Sequence, residues 1–340
     1  MTKPPMLTAQ QALDHLLSHA KPVVEIERVP MQATLGRVLA ENVSSLVDVP
    51  PLDNTAMDGY AVRTADTQNP GSILKIAQRI PAGSVGTELQ AGTAARIFTG
   101  APVPFGADAV VMQEDCSTPE GSADHVQVNI APAFGQWIRR RGEDLTSGKT
   151  ALTAGTFLRP QELGVAASAG LTHLNVKRRV KVAAFFTGDE LSLPGEPLKP
   201  GGIYNSNRDT LLACIKALGC DATDLGIVPD RLDATRAALR QASQAHDLII
   251  TSGGVSVGEE DHIKPAVSAE GRLDLWQIAI KPGKPLAFGA VRKSDQPNDG
   301  EAWFIGLPGN PVSSFVTFLL FVRPFILKLQ GREAKKRNRI

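Results

Sequence analysis

The sequence contains few cysteines and histidines, and they do not cluster. Its 340 residues include three cysteines and six histidines. Cys116, Cys214 and Cys220 show no C-x-x-C spacing, so the pattern supports neither a disulfide framework nor a zinc site. We interpret all three cysteines as small apolar residues.

A charge excess and a long hydrophobic run are also missing. The formal net charge is +1, which gives no general electrostatic reason to expect nucleic acid or an anionic membrane as a partner. The start, MTKPPMLTAQ, lacks the apolar core of a secretory signal, and residues 315–322 are too few to span a bilayer. We therefore expect a cytoplasmic protein that binds neither nucleic acid nor membrane.

The length predicts two or three domains, because a domain usually has about 100 to 200 residues. Residues 46–140 contain short β-type runs separated by Pro and Gly turns, which indicates a β-rich domain. A mixed connector follows over residues 142–177. The basic ending, residues 330–340, is typical of a solvated tail, with an RNA-binding arm as the alternative.

From residue 180 the pattern predicts a doubly wound α/β domain, because strand and helix periods alternate. Asn207 is the predicted N-cap of the first helix in this region. The predicted strands are 180–186, 223–228, 247–251, LWQIAI, PLAFGAV and WFIGL, and the predicted helices are 208–218, 232–245, one from about 261 and one over 312–329.

Five apolar runs in this region each end in a polar loop rich in Gly or Pro. Parallel strands that alternate with helices place their following loops at one edge of the sheet, where open α/β sheets bind ligands. We therefore expect the five loops to share one cleft. They are FFTGDEL (185–191), IVPD (227–230), IITSGGVSVGEED (249–261), IKPGKP (280–285) and GLPGNP (306–311).

The loop after the third of these runs is a candidate phosphate site. Gly253 and Gly254 remove side chains from a strand-to-helix turn, and Ser256 follows. Unpaired backbone N–H groups and the positive helix end favour an anion at such a junction. The glycine spacing fits neither the G-x-G-x-x-G nor the G-K-[ST] pattern, and a purely structural turn is an equal alternative.

Four acids follow the strand ends, namely Asp189, Glu190, Asp230 and Asp261. A single such acid is more often an N-cap or a surface residue than a ligand, but four at one edge suggest a site. Repulsion of an anionic substrate must then be offset, and Mg²⁺ suits carboxylate oxygens and commonly bridges them to phosphates. We expect a subset of the four acids to hold it, with Glu190, Asp230 and Asp261 as the candidate ligands.

Two further loops offer binding groups. Lys281 and Lys284 lie in a loop stiffened by prolines and can hold an anion, although solvated lysines are the alternative. Pro308, Asn310 and Pro311 form a rigid turn into the last helix, which structure alone can also explain.

The β-rich region has three candidate segments. PPLDNTAMDGYAVR (50–63) carries Asp58, RIFTGAPVPFGADAVV (96–111) places Thr99 just after a strand, and RRRGEDL (139–145) carries Asp144. Loops on a rigid scaffold often carry function. Structural turns explain these segments equally well.

Taken together and in order, these segments resemble the molybdopterin molybdenumtransferase family, of the MoeA and gephyrin E-domain type. The resemblance extends from Leu7 to about Leu329. The motifs that carry it are LDNTAMDGYA, RIFTGAPVPFGADAVV, IRRRGEDL, FTGDEL, GIYNSN, TSGGVSVGEED, IKPGKP and GLPGNPVSS.

The resemblance implies an enzyme that takes adenylyl-molybdopterin and molybdate, releases AMP and leaves molybdenum on the pterin dithiolene with the help of Mg²⁺. It implies the catalytic residues Asp58, Thr99, Asp144, Asp189, Glu190, Asp230 and Asp261. The implied substrate-binding residues are Ser252, Gly253, Gly254, Ser256, Lys281, Lys284, Pro308, Asn310 and Pro311.

The family organisation implies a homodimer, in which Asp58 and Thr99 can serve the partner subunit. It also implies a Mog-like α/β domain (7–26 and 178–329), a β-rich domain (46–140), a mixed connector domain (27–45 and 141–177) and a basic tail (330–340). Family members continue into a further small β-barrel domain, which we expect to be absent from this chain.

We expect charge placement rather than covalent catalysis, because the motifs contain no Ser/His/Asp or Cys/His set. Two alternatives remain open. One is a non-catalytic molybdopterin carrier or a form that depends on a partner for the last domain. The other is the molybdopterin adenylyltransferase (Mog-type) of the same pathway, which lacks a β-rich half and is also a possible pathway partner.

Overall fold

A computed structural model describes residues 7–255, 262–279, 285–296 and 299–332. The chain divides into two compact units. The α/β unit comprises Met1–Glu41, Ala154–Arg159 and His173–Ile340, and the β-rich unit comprises Asn42–Thr153 and Pro160–Thr172. The finer division into three domains and a tail stays a prediction.

The helices and strands are numbered in chain order. The helices are α1 (Ala9–His19), α2 (Pro160–Ser168), α3 (Ser206–Ala217), α4 (Leu232–Ala245), α5 (Ile263–Glu270), α6 (Pro311–Thr317) and α7 (Arg323–Leu329). The strands are β1 (Ile26–Pro30), β2 (Val43–Ser44), β3 (Asn54–Thr55), β4 (Gly59–Val62), β5 (Ser72–Ile80), β6 (Thr93–Ile97), β7 (Ala109–Met112), β8 (Cys116–Ser117), β9 (His125–Val128), β10 (Ile138–Arg139), β11 (Thr150–Leu152), β12 (His173–Lys177), β13 (Lys181–Thr187), β14 (Leu191–Ser192), β15 (Ile203–Tyr204), β16 (Asp221–Val228), β17 (Leu248–Ser252), β18 (Gly271–Gln277), β19 (Pro285–Arg292) and β20 (Glu301–Leu307).

The β-rich unit is built on a six-stranded sheet of order β7-β4-β6-β5-β9-β8. Its strands β4, β6 and β7 are largely buried on both faces. In β4, Ala61 belongs to one core cluster and Val62 to another, because successive side chains of a strand point to opposite faces. Val110 and Val111 divide in the same way. The two cores explain why these short strands are apolar without a helical period.

The α/β unit contains a six-stranded sheet of order β16-β13-β17-β20-β19-β18. The first four strands are parallel, and β19 runs antiparallel to both of its neighbours. Val182 and Phe186 of β13 pack in a core with residues of α1, α3 and α7, whereas Ala183 and Phe185 pack in another with residues of α4 and α5. Helices therefore cover both faces, and the predicted combination of a doubly wound α/β domain with a β-rich domain is confirmed.

The first and last helices belong to the same core. Thr8 and Gln11 form the capping box that begins α1, and Leu16 of α1 is fully buried. A π turn at Phe318–Val322 joins α6 to α7. The continuous helix Pro311–Leu329 is long and apolar enough to cross a membrane, but half of the residues in this window are buried. Core packing accounts for its apolar composition.

One expectation about the sheet is wrong. The IKPGKP loop does not follow a parallel strand, because it lies between the antiparallel strands β18 and β19. Pairing of Gln277 with Pro285 and of Ala287 with Gly306 nevertheless places this end of the hairpin at the edge where β20 ends. A hairpin can thus bring its strand ends to the carboxyl edge without a helical crossover. Residues 280–284 of the loop lie outside the described part of the chain.

Candidate functional site

A cleft of about 460 Å³ lies at the carboxyl ends of β13, β17 and β20. This is the edge at which open parallel sheets bind ligands. The residues lining it come from the ends of these strands, the loops that follow them, the loop after β16 and the starts of α3 and α6. They are Thr187, Gly188, Glu190, Leu191, Ile203, Asn205, Asn207, Asp230, Ser252, Gly253, Gly254, Val255, Pro308, Gly309, Asn310 and Ser313.

The turn after β17 requires glycine at two successive positions. Gly253 has φ +96°, and a Cβ there would lie 2.3 Å from the backbone oxygen of Thr187. Gly254 has φ +64°, and its Cβ would lie 2.8 Å from Thr187 Oγ1. Other residues rarely adopt such positive φ values, and the close backbone oxygen leaves no room for a side chain. The two glycines bring the bare main chain of this turn to the cleft.

Asn207 ties three segments of the cleft together. Its Nδ2 donates to Ser252 Oγ over 2.9 Å and to the Gly309 carbonyl oxygen over 2.8 Å. Ser252 Oγ in turn donates to the Pro308 carbonyl oxygen over 2.9 Å. The start of α3, the end of β17 and the turn before α6 are therefore held by one network of polar side chains.

The predicted capping role of Asn207 is wrong. Asn205 is the N-cap of α3, and its side chain accepts a hydrogen bond from the N–H of Arg208. The helix begins two residues earlier than predicted, so Asn207 lies within its first turn. The motif NSN offers two asparagines as caps, and the interactions of Asn207 with Ser252 and Gly309 are tertiary.

The predicted turn before the last helix is observed. Asn310 Oδ1 accepts a hydrogen bond from the N–H of Ser313 over 3.0 Å, and Pro311 occupies the first turn of α6. Such a cap and proline are typical of a helix start. Pro308 and Asn310 line the cleft, whereas Pro311 is exposed and is not a lining residue.

The structure brings together part of the predicted acidic set. Glu190 and Asp230 line the cleft, and Asp189 Oδ1 accepts a long hydrogen bond of 3.5 Å from the N–H of Asp230. Asp189 itself is exposed and is not among the lining residues. No group of three or more His, Cys, Asp or Glu residues that could hold a metal ion occurs in the described residues. The described acids do not by themselves form a magnesium site.

Four predicted site residues lie outside the described part of the chain. They are Ser256, Asp261, Lys281 and Lys284. Their assignments stay predictions, and so does the metal set of Glu190, Asp230 and Asp261.

A second cluster of predicted residues lies in the β-rich unit. Asp58 Oδ1 accepts hydrogen bonds from the Thr99 hydroxyl over 2.6 Å and from the Thr99 N–H over 2.7 Å. The bond from the Thr99 hydroxyl is the main cause that lowers the pKa of the Asp58 carboxyl, with its N–H second. The LDNTAMDGYA and RIFTG segments therefore meet at an ionised carboxylate.

The third motif lies beside the first motif. Strand β10 pairs with β3, which places IRRRGEDL beside LDNTAMDGYA. Asp144 Oδ1 forms an ion pair of 2.6 Å with Arg139, and Asp53 accepts hydrogen bonds from Arg140 Nη1 and the Arg141 N–H. The Arg141 N–H is the largest contribution to the lowered pKa of Asp53. These acids are held by neighbours within the unit.

The cysteines are free. Burial raises the pKa of the Cys116 and Cys220 thiols to about 12, so neither is activated as a thiolate. Cys220 packs in the core of the α/β unit. Their surroundings agree with the interpretation of these residues as small apolar side chains.

Sequence reasoning missed several residues of the cleft. Thr187 and Asn205 are buried lining residues, and Leu191 and Ile203 add apolar surface. The segments FTGDEL and GIYNSN contain these residues, but their sequence patterns indicate only the acids and a helix cap. The backbone pairing of β14 with β15 is what brings Leu191 and Ile203 together.

The fold and the cleft define an α/β protein with a ligand site at the carboxyl edge of its sheet. Comparison with known families gives two matches. Residues 7–170 match the model described as MoeA N-terminal region (domain I and II), and residues 183–328 match the model described as probable molybdopterin binding domain. Together they cover most of the chain.

Individual relatives agree. The chain is 40% identical to the molybdopterin molybdenumtransferase of Haemophilus influenzae, over 98% of this chain and 80% of that protein. It is 38% identical to molybdopterin molybdenumtransferase 2 of Mycobacterium tuberculosis, over 95% of this chain and 78% of that protein. A crystal structure of a Pyrococcus horikoshii molybdopterin biosynthesis MoeA protein is 31% identical, with a TM-score of 0.80 over 97% of this chain and 80% of that chain. The chain belongs to the molybdopterin molybdenumtransferase family, a family of transferases in molybdenum cofactor biosynthesis.

Proposed function

We propose that this protein transfers molybdenum from molybdate to adenylyl-molybdopterin and releases AMP. The observation that carries the proposal is the cleft at the carboxyl edge, which is lined by both the side-chain-free glycine turn and two carboxylate residues. The cleft lies within the region that matches a molybdopterin-binding model. The relatives named as molybdopterin molybdenumtransferases support the type of reaction.

The described residues suggest separate tasks. The bare turn at Gly253 and Gly254 allows a ligand to approach the main chain closely. Asn207 and Ser252 hold that turn against the turn before α6. Such fixed polar groups stabilise charge that develops during a reaction without having to reorganise. Glu190, Asp230 and the adjacent Asp189 are the acids that we assign to the reaction.

Mg²⁺ dependence is part of the proposal. Glu190 and Asp230 would contribute oxygen ligands together with Asp261, and the bound ion would polarise the phosphoanhydride. Two carboxylates from the described residues fit the donor chemistry of Mg²⁺ but do not complete a site. Lys281 and Lys284 are proposed to bind the anionic groups of the substrate.

We assign Asp58, Thr99 and Asp144 of the β-rich unit to the same reaction. The bonds between Asp58 and Thr99 favour the charged form of this carboxylate. We further propose a cytoplasmic homodimer, which light scattering would show as twice the 36.1 kDa chain mass. A monomer at micromolar concentration would contradict the dimer but would leave the cleft assignment intact.

A defined reconstitution tests the reaction. Purified protein is mixed with adenylyl-molybdopterin, molybdate and Mg²⁺, and AMP release is followed by chromatography. We expect AMP to appear only when molybdate is present and to disappear when the Mg²⁺ is chelated. Tight binding of the pterin without AMP release would instead identify a non-catalytic carrier.

A further inference from the structure

Two buried polar atoms on the wall of the cleft have no hydrogen-bond partner in the described part of the chain. They are Thr187 Oγ1 and Asn205 Nδ2. Thr187 is 4% exposed, Asn205 is 2% exposed, and both residues line the cleft. Buried polar atoms are nearly always paired, because an unpaired one loses its hydrogen bonds to water without compensation. A ligand in the cleft can supply the missing partners.

The remaining polar atoms of Asn205 are already used. Its Oδ1 caps α3 by accepting the hydrogen bond of Arg208, and its N–H donates to the Ser192 carbonyl oxygen over 2.9 Å. The cap fixes the carboxamide plane, so Nδ2 is the end that remains available. Asn207 differs, because its Nδ2 is occupied by Ser252 and Gly309.

The hydroxyl of Thr187 lies beside the two glycines of the turn. A Cβ at Gly254 would lie 2.8 Å from Thr187 Oγ1, and one at Gly253 would lie 3.1 Å from it. Any other residue at these positions would place carbon against the hydroxyl. The two glycines therefore keep carbon atoms away from this buried hydroxyl.

The charge of the wall indicates what kind of group binds there. Among the described lining residues the charged ones are Glu190 and Asp230, and none is Lys or Arg. The two carboxylates are the acids that we assign to Mg²⁺, and no described lining side chain supplies a positive charge for an anionic group beside Thr187 and Asn205. A neutral group that accepts hydrogen bonds suits the Asn205 amide and the Thr187 hydroxyl better, because the amide nitrogen can only donate.

We propose that Thr187 Oγ1 and Asn205 Nδ2 recognise a neutral aromatic heterocycle, the fused pyrimidine ring of the substrate. The inference rests on the proposed function, which supplies the substrate class. Adenylyl-molybdopterin offers this chemistry twice, in its pterin and in its adenine. Both rings present acceptor nitrogens or a carbonyl at a pyrimidine edge.

The test uses two substitutions that remove one polar atom each. Thr187→Val replaces the hydroxyl with a methyl group of similar shape. Asn205→Ser keeps an oxygen that can cap α3 but removes the amide donor. Thr251→Val is the matched control, because Thr251 Oγ1 is also buried and without a partner in the described residues, while Thr251 is not a lining residue.

Binding is measured by titration calorimetry with two neutral probes, 6-hydroxymethylpterin and adenosine. We expect Thr187→Val and Asn205→Ser each to weaken binding of one and the same probe by about tenfold or more. We expect Thr187→Val and Thr251→Val to raise the Tm of the free protein by roughly 2–4 °C, because each removes an unpaired buried hydroxyl. Thr251→Val should bind both probes like the wild type.

The affected probe identifies the ring: loss of pterin binding assigns the pair to the pterin, and loss of adenosine binding assigns it to the adenine. Wild-type protein that binds neither probe, or variants that bind both as the wild type does, would overturn the inference. AMP release separates this result from the proposed function. Wild-type AMP release with unchanged binding in the variants refutes only the inference, whereas weakened binding in a protein that never releases AMP refutes only the reaction.

Discussion

The carboxylates of the sequence motifs are hydrogen-bonded more strongly in the β-rich unit than in the α/β unit. In the β-rich unit, Asp58, Asp53 and Asp144 each accept at least one hydrogen bond of 2.8 Å or less from a neighbouring Thr or Arg. In the α/β unit, Asp189 takes part in a bond of 3.5 Å, and within the described residues no ion pair involves Glu190. The carboxylates of the β-rich unit are therefore engaged by neighbouring residues, whereas Asp189 and Glu190 are exposed beside the cleft.

This difference separates two uses of the same side chain. A carboxylate that is fully hydrogen-bonded orders the loops around it and stays ionised. A carboxylate without strong partners keeps its acceptor capacity for a ligand or a cation. We therefore expect substitutions in the cleft to affect turnover more than stability, and substitutions at Asp58 and Thr99 to affect both.

The largest effect is expected for Glu190→Gln. Loss of the charge should lower the rate of AMP release by about 10²–10³-fold, the cost typical of removing one electrostatic contact to a transition state. The Tm should stay within about 1 °C, because Glu190 is exposed and exposed positions tolerate substitution. Glu88→Gln, the same change at an exposed position of the β-rich unit, is the control and should leave both quantities unchanged.

Gly253→Ala should destabilise the α/β unit by about 2–5 kcal/mol, measured by urea denaturation. The positive φ and the overlap with the Thr187 backbone oxygen both contribute. Gly195→Ala is a matched control, since Gly195 has φ +95° but no atom within 4 Å of its Cβ position. Gly195→Ala should lower the free energy of unfolding by only about 1–2 kcal/mol. Equal losses at the two glycines would contradict the close approach at Gly253.

Asn207→Ala should lower the free energy of unfolding by about 1–3 kcal/mol, because it removes two hydrogen bonds that join separate loops. It should also slow AMP release, since the glycine turn and the turn before α6 lose their common contact. Asn129→Ala provides a comparison at an exposed asparagine whose side-chain hydrogen bonds are 3.2 Å or longer. Thermal denaturation should distinguish the two, and equal Tm values would argue against the network.

The smallest effect is a pH dependence at Asp58. Thr99→Val removes the hydroxyl that is the main cause of the lowered pKa, so the pKa of Asp58 should rise. A carboxyl with a lowered folded-state pKa stabilises the protein above its unfolded pKa, and this contribution is lost as the pH falls through the folded pKa. The stability difference between wild type and variant should thus be largest near neutral pH and shrink on acidification.

Carboxyl NMR titration gives the pKa directly. Thr93→Val is the control, because the Thr93 hydroxyl donates to the Gln90 carbonyl oxygen and not to a carboxylate. Its stability cost should be constant over the acidic range. An unchanged Asp58 pKa in Thr99→Val would refute the assigned cause.

Much of the α/β unit could be predicted from sequence because its signals are local. The apolar runs of β13 and β17 are buried on both faces, and α4 begins and ends where its period predicts, at Leu232 and Ala245. The antiparallel direction of β19 could not be predicted, since periodicity does not encode strand direction. The direction of β19 depends on its pairing with β20, which is a tertiary interaction.

The site was predictable in part for a similar reason. Acids, glycines and helix caps can be recognised by residue type, so the sequence predicts Glu190, Asp230, Gly253 and Asn310 as site residues, and all four line the cleft. Thr187 and Asn205 were not predicted, because an unpaired buried hydroxyl or amide is a property of the packed structure and not of the residue. The sequence predicts the wrong role for Asn207 because the same residue type can cap a helix or form hydrogen bonds between loops.

The most direct test is a crystal structure of the protein grown with adenylyl-molybdopterin in the absence of molybdate. The account predicts ligand density in the α/β cleft, with atoms within hydrogen-bond or van der Waals distance of the Gly253–Gly254 turn and of Asn205. Density located away from the carboxyl edge of the sheet, with the cleft filled only by solvent, would contradict it.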